Sequence, residues 1–385
     1  SGDAGMKGLS ESFYRRKVAQ IQAELDAEGL DGVLLLDVYN VIYASGFFHT
    51  PSERPMGLLI RKNGDPVLLV PLLEQENAAS TWIGDIRTYF EYPGEEHAVE
   101  WMIRESGCQR LGLDRLPQDL DHALPAHAVR SRLVDRLRWV KDPEEIELVE
   151  QAAAYADFCL EQVRDYSSDI IRDGGTELDI LAMCLKNTRA KMLAEVGEIF
   201  NLYGGSVVGT VHSGERAALP HGSPLHRPPQ RGETLIAGIG AMVGGYHAES
   251  GATFIVGEPV GDQMRCLQAA RDCDAAGVEA LRAGNTCAQV NTAALNVLKE
   301  YGLGAAIRHR IGHGMGLQGH EAPWLAPGDE TRLVPNMVFS NEPGIYRPGV
   351  DGYRTINTMI VTDGAASVPS RFLAQNPPET RILTL

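Results

Sequence analysis

Gly312-His313-Gly314-Met315-Gly316, followed by His320-Glu321 and then by Asn341-Glu342-Pro343-Gly344-Ile345-Tyr346, is the stretch on which the reading of this chain turns. Glycines at 312, 314, 316 and 319 surround two histidines, a density that lets backbone or ligand approach closely. A glycine-rich loop with incidental histidines is the plainer reading of the same residues. Glu342 interrupts the apolar run Met337-Val338-Phe339-Ser340, and a carboxylate there is exposed, paired or functional, because burying an unpaired charge is costly. Arg354, in Gly352-Tyr353-Arg354, is a natural partner for it.

Upstream, Leu219-Pro220-His221-Gly222 precedes the turn Arg231-Gly232-Glu233, which feeds a strand. His221 is thereby placed on a loop beside a sheet, and histidine is the residue type suited to proton transfer at neutral pH. A surface histidine is the alternative by residue type. The strand pair runs over Thr234 to Phe254 and carries Tyr246, His247 and Glu249. Further strands are expected over Met337 to Tyr346 and Tyr353 to Val361, and helices over Glu177 to Glu195, Asp262 to Leu281 and Thr286 to Tyr301. Helices grouped around antiparallel strands make an α+β domain.

That domain begins near a junction. Asp142-Pro143-Glu144-Glu145 is a helix start, with an Asp cap, Pro in the first turn and Glu three residues after the cap. Ile146, Val149, Ala153, Ala156, Leu160 and Val163 then form one apolar stripe. Before the junction the pattern alternates helix and strand: a helix over Glu11 to Gly29, a buried strand at Gly32 to Asp37, and a hairpin, Pro55 to Ile60 and Pro66 to Pro71 around Asn63-Gly64, whose turn positions favour positive φ. Leaving aside the five residues before Met6, the domains are read as 6–137 and 138–385.

The 385 residues, 44% hydrophobic and 22% charged, provide for two domains with a sizeable core. A net charge of -16 argues against a sequence-independent grip on nucleic acid. Six scattered cysteines without a Cys-x-x-Cys pair read as reduced thiols, hence a cytoplasmic location. Neither a membrane-spanning run nor a charged-then-apolar leader is read.

Together, Leu219-Pro220-His221, Gly232-Glu233, Gly245-Tyr246, Gly312-His313-Gly314, His320-Glu321-Ala322-Pro323, Glu342-Pro343-Gly344-Ile345-Tyr346 and Gly352-Tyr353-Arg354 resemble the pita-bread (M24) peptidase family of methionine aminopeptidase, aminopeptidase P, prolidase and creatinase. The junction Arg138-Trp139-Val140-Lys141-Asp142-Pro143 and the residues before it are similar to the two-domain creatinase and prolidase branch. The resemblance implies a C-terminal pita-bread domain preceded by a smaller α/β creatinase-type N-terminal domain.

In the metal-dependent members, two aspartates, a histidine and two glutamates hold two divalent ions. The histidine and first glutamate slots match His313 and Glu342, whereas the aspartate slots hold Gly238 and Glu249 and the last glutamate slot holds Ile356. The resemblance therefore points first to the metal-free creatinase branch, with no cofactor. The expected activity is hydrolysis of a C-N bond (amide, amidine or cyclic amidine) in a small zwitterionic carboxylate-bearing substrate, such as a compatible solute. His221 is the general acid and base, and Glu342 and Glu249 grip the cationic part. His313, His320, His247, Tyr246 and Arg354 line the pocket. Phe48 and Arg54 lie in a segment that resembles the one reaching into the neighbouring subunit's site, so Arg54 anchors the substrate carboxylate across a homodimer. A surface arginine is the alternative. Departures from creatinase, Gly251 and Ile356 in place of its second glutamate and a further histidine, speak against creatine itself. Two other readings stay open: a metal-dependent Xaa-Pro aminopeptidase or prolidase with an altered site, in which Glu249, His313 and Glu342 hold a single ion, and a catalytically silent binding member.

Overall fold

A computed structural model describes residues 8–120, 124–197 and 206–385; Met6, where the first domain was read to begin, lies outside them. The chain divides into two compact units, Ser1–Arg138 and Trp139–Leu385.

In the first unit, six strands form one sheet: β1 (Gly32–Leu35), β2 (Gly57–Arg61), β3 (Val67–Pro71), β4 (Asp85–Tyr89), β5 (Leu111–Leu113) and β6 (Ala128–Arg130), in the order β4-β3-β2-β1-β5-β6. Helices α1 (Glu11–Glu24), α2 (Val38–Ser45), α3 (Gln75–Ala79) and α4 (Ala98–Ser106) accompany it. β1 and β3 are apolar along their whole length because both faces are buried. Leu34, Leu59, Val67 and Leu69 pack with Val99, Met102 and Ile103 of α4. β2 and β3 are antiparallel as expected, but Leu59 pairs with Val67, so the connection is longer than two residues. Only Gly64 there takes positive φ (89°); Asn63 does not, because the longer loop does not require a two-residue mirror-image turn. The first helix ends at Glu24 and passes through a 3₁₀ turn (Asp26–Glu28) to Gly29.

Helix α5 (Leu133–Trp139) crosses the unit boundary, and α6 (Pro143–Arg172) opens on a capping box in which the Asp142 N–H donates to Glu145 Oε1 at 2.8 Å. Val149, Ala153, Ala156, Leu160 and Val163 are buried along it, while Ile146 is only partly so. With α7 (Glu177–Val196), α6 covers the sheet β16-β9-β8-β7, formed by β7 (Val207–Ser213), β8 (Thr234–Val243), β9 (Tyr246–Val256) and, parallel to β9, β16 (Ile382–Leu383). Helices α8 (Gln263–Ala280) and α9 (Cys287–Glu300) pack with a second sheet, β11-β10-β12-β15, made of β10 (Gly312–Gly314), β11 (Glu321–Leu325), β12 (Val338–Asn341) and β15 (Asn357–Ile360). The hairpin β13 (Gly344–Arg347) and β14 (Asp351–Arg354) completes the unit.

The glycine run of β10 has a direct cause. A Cβ on Gly312 would lie 1.8 Å from the Ser340 carbonyl oxygen, so the β10–β12 approach that brings His313 beside Glu342 permits no side chain there. Glu342 is not inside a strand, as the sequence pattern implied. It occupies the break between β12 and β13 enforced by Pro343, with its N–H bonded to Ile311 O at 2.6 Å.

Candidate active site

His221, Glu249, His313, His320, Glu342 and Arg354 all line one cavity of about 760 Å³ in the second unit. β10 supplies His313, which is 1% exposed. Its Nδ1 lies 2.8 Å from the Gly314 carbonyl oxygen and donates to it, which leaves Nε2 facing the carboxylates. That Nε2 is buried without a hydrogen-bond partner. It stands 3.3 Å from Glu342 Oε2 and 3.7 Å from Glu249 Oε1, and the His320 ring stacks on His313 with centroids 3.8 Å apart.

Glu249 reaches the cavity from β9. Its N–H donates to Thr358 Oγ1 at 2.9 Å, the Thr358 hydroxyl returns a bond to its carbonyl at 2.8 Å, and Ser340 Oγ donates to Oε2 at 3.0 Å. Ligand atoms of Glu249, His313 and His320 fall within 4.8 Å of one another.

The electrostatics separate the two carboxylates. Burial, followed by the neighbouring charge of Glu342, pushes Glu249 up to about 7. Burial alone would raise Glu342 too, but the close contact and charge of His313, with Arg354 beyond, hold it at about 2. Burial disfavours a charged His313, yet Glu342 and Glu249 outweigh it and raise the imidazole to about 9. The cluster therefore demands positive charge at His313 Nε2, which a proton or a metal cation can supply.

The remaining expected residues are distributed otherwise. His221 is exposed on the cavity wall. Tyr246 is buried and gives its hydroxyl hydrogen to Glu145, and His247 sits with Nδ1 2.9 Å from Gly316 O; neither is among the residues lining the cavity. Phe48 and Arg54 belong to the first unit, where Arg54 Nε bonds Glu91 at 2.6 Å and Nη1 bonds Glu53 at 2.9 Å. Sequence reasoning missed Ser340, Thr358 and Thr253, whose partners lie roughly a hundred residues away. It also missed His309, whose Nε2 meets the Tyr346 hydroxyl at 2.8 Å.

The donor set tests what the cavity can hold. Two ions do not fit. Gly238 and Ile356 offer no ligand atom, and a Cβ built on Gly238 would face Arg354 Nη2 at 3.3 Å and Ile356 Cδ1 at 3.6 Å, so a cation and a hydrocarbon already fill that side. One ion fits: the orphaned Nε2 of His313 converges with carboxylate oxygens of Glu249 and Glu342, and His320 is within reach.

Comparison with known proteins agrees with a metal. Residues 147–363 match the model of metallopeptidase family M24, and residues 17–140 that of the creatinase/prolidase N-terminal domain. The chain is 31% identical over 377 residues to the probable dipeptidase PepE of Mycobacterium tuberculosis, spanning 94% of this chain and 96% of that one. It is 30% identical to the Xaa-Pro dipeptidase of Lactobacillus helveticus over 359 residues, spanning 89% and 93%. The crystal structure of dipeptidase PepE from Mycobacterium ulcerans superposes with a TM-score of 0.84 at 27% identity, covering 98% of this chain and all of that one. These relatives correct the expectation of a metal-free, creatinase-like hydrolase of a small zwitterion, and with it the expectation of no cofactor. Two carboxylates are lost, yet Glu249, His313 and His320 keep ligand atoms within 4.8 Å of one another, and Glu342 stands 3.3 Å from His313. The protein belongs to metallopeptidase family M24: it is a hydrolase of C–N bonds whose pita-bread catalytic domain follows a creatinase/prolidase-type α/β domain.

Proposed function

We propose that the protein is a metal-dependent dipeptidase of the Xaa-Pro type that works with one divalent ion where the family pattern provides for two. The observation that carries this reading is the buried, unpartnered Nε2 of His313 facing Glu249 and Glu342 across the floor of the cavity. Glu249, His313 and Glu342 hold the ion, with His320 as a fourth donor. When bound, such an ion polarises a carbonyl and acidifies water. The chain's own residues do the rest. The Gly314 carbonyl holds the His313 Nδ1 proton, so that Nε2 is the atom turned toward the ion. Ser340 and Thr358 orient Glu249. His221, on the exposed wall, gives a proton to the departing amine nitrogen.

The same reading includes a homodimer and a cytoplasmic location, the latter supported by six unpaired cysteines, five of them buried. Among the described residues no helix is long and apolar enough to cross a membrane. For the neighbouring subunit's Arg54 to take a substrate carboxylate, Glu91 must first give up both of its bonds to that guanidinium.

Metal analysis of the purified protein, with assay of Xaa-Pro and other dipeptides, tests the reading. About one ion per chain is expected, with turnover lost to a chelator and restored by zinc, manganese or cobalt. Undiminished turnover in protein holding below about a tenth of an ion per chain would overturn it.

A further inference from the structure

The disagreement between the two-ion pattern and this chain is concentrated at one place, and that place is not empty. Gly238 on β8 faces Gly251 on β9, and Gly251 is bridged to Ile356 by a reciprocal pair of backbone bonds of 3.0 Å each. A Cβ on Gly251 would strike Ile356 Cγ1 at 2.7 Å, and one on Gly238 would meet Arg354 Nη2 at 3.3 Å. The volume into which an aspartate at 238 would point its carboxylate is thus taken by a guanidinium, with an isoleucine side chain beside it.

That guanidinium is held rather than loose. The Arg354 N–H donates to Thr253 Oγ1 at 2.8 Å and the Thr253 hydroxyl returns a bond to the Arg354 carbonyl at 2.9 Å, which clamps the backbone from β9. Nη1 donates to the Pro220 carbonyl, next to His221. Arg354 is 8% exposed, lines the cavity, and makes no ion pair among the described residues, although Glu249 and Glu342 feel its charge. A preorganised cation with a free donor face is the arrangement that stabilises charge appearing during a reaction, since nothing has to reorganise when the charge develops.

We propose that Arg354 is the second cation of this site: its guanidinium receives the oxyanion that forms on the scissile carbonyl, the task a second metal ion would otherwise share. The inference rests on the single-ion hydrolase reading. As the water oxygen bonds to the carbonyl carbon it loses a proton to His221, the C=O π pair moves onto the carbonyl oxygen, and Nη2–H donates to it. When the pair returns, the C–N bond breaks and the nitrogen leaves with the proton that His221 gives back. Arg354 keeps its own protons throughout and acts only on charge.

The test compares the zinc-loaded parent with Arg354→Met, reading dipeptide kinetics, zinc content and affinity for a phosphinate dipeptide analogue, whose tetrahedral anion imitates the oxyanion. In Arg354→Met, kcat falls roughly 10²–10³-fold while KM stays within about threefold, and phosphinate affinity falls in parallel with kcat. Zinc remains at one per chain, and millimolar guanidinium ion restores part of the rate to Arg354→Ala. Phosphinate affinity within about threefold of the parent at full zinc content overturns the proposal, as does loss of zinc in proportion to affinity, which would make Arg354 structural. Should Arg354→Met not fold, Arg354→Lys carries the test, since a lysine cannot bond Pro220 and the oxyanion together; an unchanged kcat then overturns it. If the parent cleaves no dipeptide, the dipeptidase reading fails on its own, while phosphinate binding still decides Arg354.

Discussion

The two walls of the cavity have different chemistry. The wall of β10, β12 and the tip of β9 presents His313, Glu342 and Glu249, each backed by a fixed partner: the Gly314 carbonyl, the Ile311 carbonyl and the Ser340 hydroxyl. The wall of β8, the end of β14 and the segment after it presents Gly238, Arg354 and Ile356, a glycine, a cation and a hydrocarbon. On the proposed reading, one wall binds a cation and the other takes the place of a second. On that reading the site loses ligands without losing positive charge, because a guanidinium stands beside the position they would occupy.

The largest effect that would break this contrast is removal of the cation-binding wall. His313→Ala deletes the one nitrogen ligand buried among carboxylates, and is expected to abolish tight metal binding and turnover together. Ser340→Ala, which only frees Glu249 Oε2, should cost about 10–100-fold in metal affinity. Titration of zinc against a competing chelator ranks the two, and equal affinities would mean that His313 is not a ligand.

Most of the binding wall was legible in the chain, because Gly312-His313-Gly314 and Glu342-Pro343-Gly344 announce themselves by residue type and order. Glu249 was legible for a different reason: strand alternation puts it on the same face as Gly251 and Thr253. What fills the missing ligand space could not be read. Only the folded register places Arg354 Nη2 against Gly238 across more than a hundred residues. Nor could the hydroxyl supports be found, since a serine in a strand carries no mark of the carboxylate it will meet. Tyr246 and His247, expected at the pocket from the resemblance, direct their side chains to Glu145 and Gly316.

An intermediate effect sharpens the contrast by reversing it. Gly238→Asp with Ile356→Glu restores the two absent carboxylates, but the new aspartate meets Arg354 within a few ångströms and pairs with it. The double variant should therefore still hold one ion, and adding Arg354→Met should raise the content to two. Elemental analysis of the folded proteins reads the outcome directly. Two ions in the double variant, with Arg354 intact, would show that the guanidinium does not occupy the second position.

The smallest effect lies behind the binding wall. Asp274 on α8 accepts bonds from Asn341 Nδ2 at 2.8 Å and Asn357 Nδ2 at 2.8 Å, the residues next to Glu342 and Ile356, so it ties β12 and β15 to one helix. Burial pushes its carboxyl from 3.8 up to about 7, against the two asparagines and the charge of Arg381, which all favour the ionised form. An acid whose folded pKa is raised binds more protons folded than unfolded. Its contribution to stability is then complete below about pH 4 and is lost as pH rises through about 7. Asp274→Asn keeps an acceptor for the asparagines and removes the titration, so its stability should change less between pH 5 and pH 8 than the parent's, the variant gaining ground at the alkaline end. Urea unfolding at a series of pH values measures this, and parallel curves for the two proteins would mean that Asp274 does not titrate in that range. Through this tie α8 holds the two strands from behind, on the side away from the cavity residues Glu342 and Ile356.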